Sequence, residues 1–228
     1  MMASRWKLFL EWGSILSLIA CAYWIFMLTP IETSQGFSQK IMYLHVPTVI
    51  VTYLAFFIVF AFSIAYLWKR DLMFDRIAKS SAEIGLLFCA LVLISGAVWG
   101  RPTWGTYWVW DARLTTTLLL FLIFMGYFLL RMSTEDRDKE SRLAAVIGII
   151  GFLDIPIIHK SVEWWRTLHQ PTTLFKTEDG MAKPSIPDEL LYPLLATMMA
   201  MLLFYLFLLQ LRYRICLLYT SPSPRDSN

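Results

Sequence analysis

The chain has 228 residues, of which 57% are hydrophobic and only 16% charged, and its mean hydropathy is +0.56. An ordinary soluble domain carries about 25% charged residues, and the formal charge of +3, spread thinly along the chain, offers no basic patch for nucleic acid. Cys21, Cys89 and Cys216 stand far apart with no CxxC or CxxCH, which excludes a dithiol oxidoreductase and a c-type cytochrome with its own attachment site.

Six apolar segments follow in chain order, at residues 12–29, 44–68, 84–98, 114–130, 143–158 and 190–211. Each is near the length that crosses about 30 Å of hydrocarbon. They predict an all-α, polytopic membrane protein with six transmembrane helices. No small-residue cleavage site follows the first run, so it is expected to remain as a helix. Cys21 and Cys89 fall inside helices as small apolar residues. The second helix opens in MYLHVP, where Pro47 suits a first helical turn. The third and fourth are joined by WGRPTWGTYWVWDAR, in which Gly100, Pro102 and Gly105 are expected to break any helix. Lys79 and Glu83 read as a plain helix pair, and TEDRDKESR at 134–142 as a solvated turn. In the fifth segment Pro156 predicts a break near the end. Asp154 is an intramembrane carboxylate, but it lies within five residues of the segment's end, and snorkelling to water suffices to explain it. Beyond Arg214 the chain reads ICLLYTSPSPRDSN, whose Ser/Pro ending has no apolar face and resembles read-through of non-coding sequence. Residues 216–228 are therefore set apart from a membrane domain spanning 1–215.

The Lys/Arg bias of the loops sets the orientation. One set of ends carries thirteen of the 20 cations and the other seven. The thirteen are expected in the cytoplasm, which puts both termini inside and the loops at 99–113 and 159–188 outside.

Four of the ten tryptophans, Trp99, Trp104, Trp108 and Trp110, fall within those fifteen residues, together with Tyr107. Such a cluster offers rigid apolar faces edged with indole N–H donors, suited to a large planar ligand. Trp and Tyr also favour the headgroup level of a bilayer, so spacing alone leaves both a ligand platform and an aromatic belt open. The three histidines, His45, His169 and His159, all fall on the same outer side as this segment. Two neutral imidazoles from different loops can take the axial positions of a haem iron while indoles enclose the macrocycle. His159 stands beside Lys160, a cation that disfavours another positive centre nearby. Asp111 can pair with Arg113 or Arg101 to fix the loop, and Arg101, Arg113 and Arg166 are candidates to face carboxylates on a ligand.

At this point the residues carry a resemblance. WGRPTWGTYWVWDARLT resembles the tryptophan-rich WWD signature of bacterial haem-handling membrane proteins. KIMYLHVP and IPIIHKSVEWWRTLHQ narrow it to the haem exporter protein C (CcmC) family of the system I cytochrome c maturation pathway. Thr103 and Tyr107 depart from it, standing where Met and Trp are expected. The resemblance implies an inner-membrane protein that holds haem b as cargo at the outer face. Trp99, Trp104, Gly105, Trp108, Trp110, Asp111 and Arg113 would form the WWD platform, with His45 and His169 as axial ligands. It further implies work with an ATP-binding-cassette (ABC) haem export complex and a small membrane subunit, and delivery of haem to a periplasmic haem chaperone. At most a haem lyase or transfer activity follows. The alternative is a permease-type subunit conducting haem through the bundle, against which the apolar segments hold few polar residues and show no repeated pair of broken helices.

Overall fold

The computed structural model describes residues 2–169, 175–178, 181–184 and 186–220. Six helices make up the bundle: α1 (Met2–Tyr23), α2 (Met42–Lys69), α3 (Leu72–Trp104), α4 (Ala112–Ser133), α5 (Arg137–Trp164) and α6 (Asp188–Thr220). All six are long and apolar enough to cross a membrane. The helices use their backbone hydrogen bonds internally, as hydrocarbon demands. Two short strands, β1 (Phe175–Glu178) and β2 (Met181–Pro184), pair antiparallel in the α5–α6 connection, an addition to the all-helical expectation.

α2 is central, packing against α3, α5 and α6, while α4 lies on α5 and α3, and α1 on α6. Where no water is expelled, helices associate by close contact, and small residues permit it. A Cβ on Gly85 would come within 2.7 Å of Phe56, one on Gly148 within 2.8 Å of Val59, and one on Gly151 within 2.8 Å of Phe124. Phe56 and Phe124 stack face to face in the space so created, their centroids 3.7 Å apart.

Several sequence expectations are corrected. α3 passes through Gly100 and Pro102 and stops only at Gly105, whose φ of +80° is the left-handed cap that glycine reaches at no steric cost. Only 105–111 is non-helical between α3 and α4. α3 also begins at Leu72, twelve residues before the apolar run, because Asp71 caps it by accepting from the Met73 amide. α5 runs unbroken through Pro156 to Trp164 and is longer than α4. Pro47 sits in the second turn of α2, which a 3₁₀ turn (Phe37–Ile41) precedes. Glu83 takes Arg212 of α6 as its ion-pair partner. Asp154 is buried, its Oδ2 without a hydrogen-bond partner, so snorkelling does not explain it.

At the end of the bundle away from the tryptophans, the turn read as solvated is partly built in. Asp136 caps α5 by accepting from the amides of Asp138 and Lys139. These bonds hold its carboxyl below the usual carboxylate range. Glu140 and Asp75 both bind the buried Arg131 at 2.8 Å and 2.5 Å. α6 carries on to Thr220; the rest of the doubtful tail, 221–228, lies outside the described residues.

Candidate functional site

Among the described residues, a cavity opens among α2, α3, α4 and α5. His45, from α2, and His169, beyond α5, both line it, as do Trp104, Trp108 and Arg113. Its deeper wall is apolar or weakly polar, with Val92, Cys89, Tyr53, Leu120 and Ile158.

His45 is held by three residues of α3. Its Nδ1 lies 2.9 Å from Ser95 Oγ. Its ring rests on Gly96, where a Cβ would come within 3.1 Å of His45 Cε1. Trp99 meets it edge-on at 5.8 Å, and the Trp99 indole N–H donates to Gln35 at 3.0 Å. One turn further along α3, Gly100 plays the same part for Trp104: a Cβ there would stand 3.0 Å from the indole. A residue read from sequence as a helix breaker is thus a helical position kept bare for a ring. Trp104 in turn meets the His169 ring edge-on at 4.9 Å.

His169 is pushed down to about 4, first by desolvation and then by the Arg113 charge. Its imidazole is therefore neutral at pH 7, with a lone pair free to bind a metal. Three buried polar atoms around this cavity lack hydrogen-bond partners: His169 Nδ1, Trp108 Nε1 and Arg113 Nε. Buried polar groups are nearly always paired, and leaving one unpaired costs about 1–3 kcal/mol. All three belong to residues that line the cavity.

The remaining sequence candidates divide. Asp111 caps α4, accepting from the Leu114 amide at 2.8 Å, and forms no ion pair with Arg101 or Arg113. It fixes the loop through the helix start. Arg113 donates to the His159 carbonyl at 3.3 Å and turns into the cavity. Arg101 instead caps the Gly105 carbonyl and covers the Tyr107 ring, and Arg166 is exposed. Gly105 ends α3 outside the cavity. Trp110 is 76% exposed and touches Trp108 edge-on, outside the lining. His159 is exposed on α5 and does not line the cavity. Sequence reasoning missed Ser95, Gly96, Tyr53 and Cys89, all inside apolar runs that read as plain spans; a lone serine or glycine in such a run is the available signal.

The model of the family described as Heme exporter protein C matches residues 1–223. The chain belongs to the Heme exporter protein C family. Among its relatives, the Heme exporter protein C of Bradyrhizobium diazoefficiens is 39% identical over 202 residues, covering 86% of this chain and 74% of its own length. That of Haemophilus influenzae is 40% identical over 197 residues, covering 86% and 78%. A putative cytochrome c biosynthesis ccmC-like mitochondrial protein of Marchantia polymorpha is 38% identical over 145 residues, covering 64% and 61%. Membership gives this Heme exporter protein C family chain a role in haem handling for cytochrome c biogenesis, within a haem export system. With its six apolar helices it is a multi-pass inner-membrane protein. Thr103 and Tyr107, the two departures from the WWD signature, are both exposed and off the cavity wall.

Proposed function

We propose that the cavity holds haem b as cargo, with His45 and His169 as axial ligands and Trp104 and Trp108 against the macrocycle. The cluster of unpartnered polar atoms beside two imidazoles carries this reading. Of the three arginines considered, Arg113 is the one that lines the cavity, and it suits a propionate. Trp99, Gly105, Asp111 and Trp110 shape the platform from behind. Both termini lie in the cytoplasm and the cavity faces the periplasm. There the haem is handed to a periplasmic haem chaperone, in concert with the ABC-type complex and its small membrane subunit. The hard chemistry of the covalent bond belongs to the cargo, and this chain supplies ligation, orientation and exclusion of water. Conduction through the bundle is the weaker reading, because the stacked Phe56 and Phe124 fill the core between α2 and α4.

The ligand assignment is tested by single substitutions in the purified, haem-loaded protein. His45→Ala and His169→Ala should each turn a six-coordinate spectrum toward five-coordinate, and added imidazole should partly restore it. His159→Ala should leave the spectrum unchanged. A six-coordinate spectrum lost in His159→Ala and kept in the other two overturns the assignment.

A further inference from the structure

The Ser95 hydroxyl sits 2.6 Å from the Leu91 carbonyl oxygen, one helical turn back on α3. Two oxygens that close require a proton between them, so the hydroxyl hydrogen is committed to Leu91. Ser95 Oγ therefore meets His45 Nδ1, 2.9 Å away, with a lone pair, and the hydrogen of that contact must sit on the imidazole. His45 is thereby the Nδ1–H tautomer, and its Nε2 is bare. Ser95 is 7% exposed, so water does not compete for the bond. His169 has no such partner, its Nδ1 being buried and unpaired. The two imidazoles are unequally prepared.

Resting on the haem reading above, we propose that Ser95 is a positioning residue that fixes the His45 tautomer and presents Nε2 to the iron of the cargo. A hydrogen bond to the far nitrogen sets which nitrogen binds a metal and how the ring is turned, and losing such a partner typically costs 10–100-fold in metal affinity. Gly96 completes the device by leaving room against α3 for the Cε1 edge of the ring.

The test uses the full chain labelled with ¹⁵N-histidine, which gives only three imidazoles to assign. In the haem-free protein, nitrogen shifts should show His45 protonated at Nδ1. Ser95→Ala should lose that fixed tautomer and release haem to a scavenger protein roughly tenfold faster, whereas Ser95→Thr, which keeps the hydroxyl, should retain both properties. An Nε2–H tautomer in a wild-type protein that binds haem overturns the proposal alone. An unchanged tautomer and unchanged haem release in Ser95→Ala overturn it too. An Nδ1–H tautomer in a folded protein that takes up no haem overturns the ligand role and the haem reading with it.

Discussion

Trp108 and Trp110 stand two residues apart and are equivalent by type, yet one lines the cavity and the other is 76% exposed. The backbone at 105–111 is irregular, so no periodicity assigns a face to either ring. Burying an aromatic side chain contributes roughly 1.5–3 kcal/mol. Replacing Trp104 and Trp108 together by Ala should then weaken haem retention by roughly a hundredfold to ten-thousandfold, at tenfold per 1.4 kcal/mol. Trp110→Ala should cost less than about tenfold by the same conversion. Rates of haem loss to a scavenger measure both, and a Trp110→Ala protein as leaky as the double variant would contradict the assignment of faces. His45 and His169 were legible because histidine is rare here and both sit on one side of the predicted topology. Ser95 and Gly96 were not, since their roles arise only when α3 crosses the ring of a residue fifty positions away.

At the scale of elements, the least legible feature is Arg131. By position it is one of the thirteen cations at the more basic set of helix ends, because the Lys/Arg rule counts position and is blind to burial. In the fold its guanidinium joins Asp75 of α3 and Glu140 of α5, and donates to the Tyr127 hydroxyl at 2.8 Å. Three helices are thereby tied at the end of the bundle opposite the cavity. Removing one partner of a buried pair strands the others, at a cost of about 3–5 kcal/mol. Arg131→Met should therefore lower the thermal stability of the detergent-solubilised protein sharply. Combining it with Asp75→Asn and Glu140→Gln should recover most of the loss, since the uncompensated charges are then gone. Equal melting of the Arg131→Met and wild-type proteins would show the cluster to be energetically idle. The lengths of α3 and α5 are hidden for a related reason: a hydropathy run reports only the apolar stretch of a helix, and both helices extend beyond it through charged residues. The capping aspartates Asp71 and Asp136 are sequence signals that mark the true starts.

At the scale of the whole molecule, six apolar runs sufficed for the architecture because hydrocarbon permits little besides helices. The sidedness of the cavity rests on the excess of Lys and Arg at the opposite end. A reporter active only outside the cytoplasm, fused after Glu163, should be active, and one fused after Asp136 silent; the reverse pattern would place the cavity on the cytoplasmic face. Without its partners, this chain should itself hold haem with paired histidine ligation. The absorbance spectrum of the full chain purified alone tests it most directly. A co-purifying Soret band is expected, with the visible bands of six-coordinate, low-spin haem, abolished in a His45→Ala, His169→Ala double variant that still folds. A folded protein with no Soret band, or a band unchanged in the double variant, would contradict it.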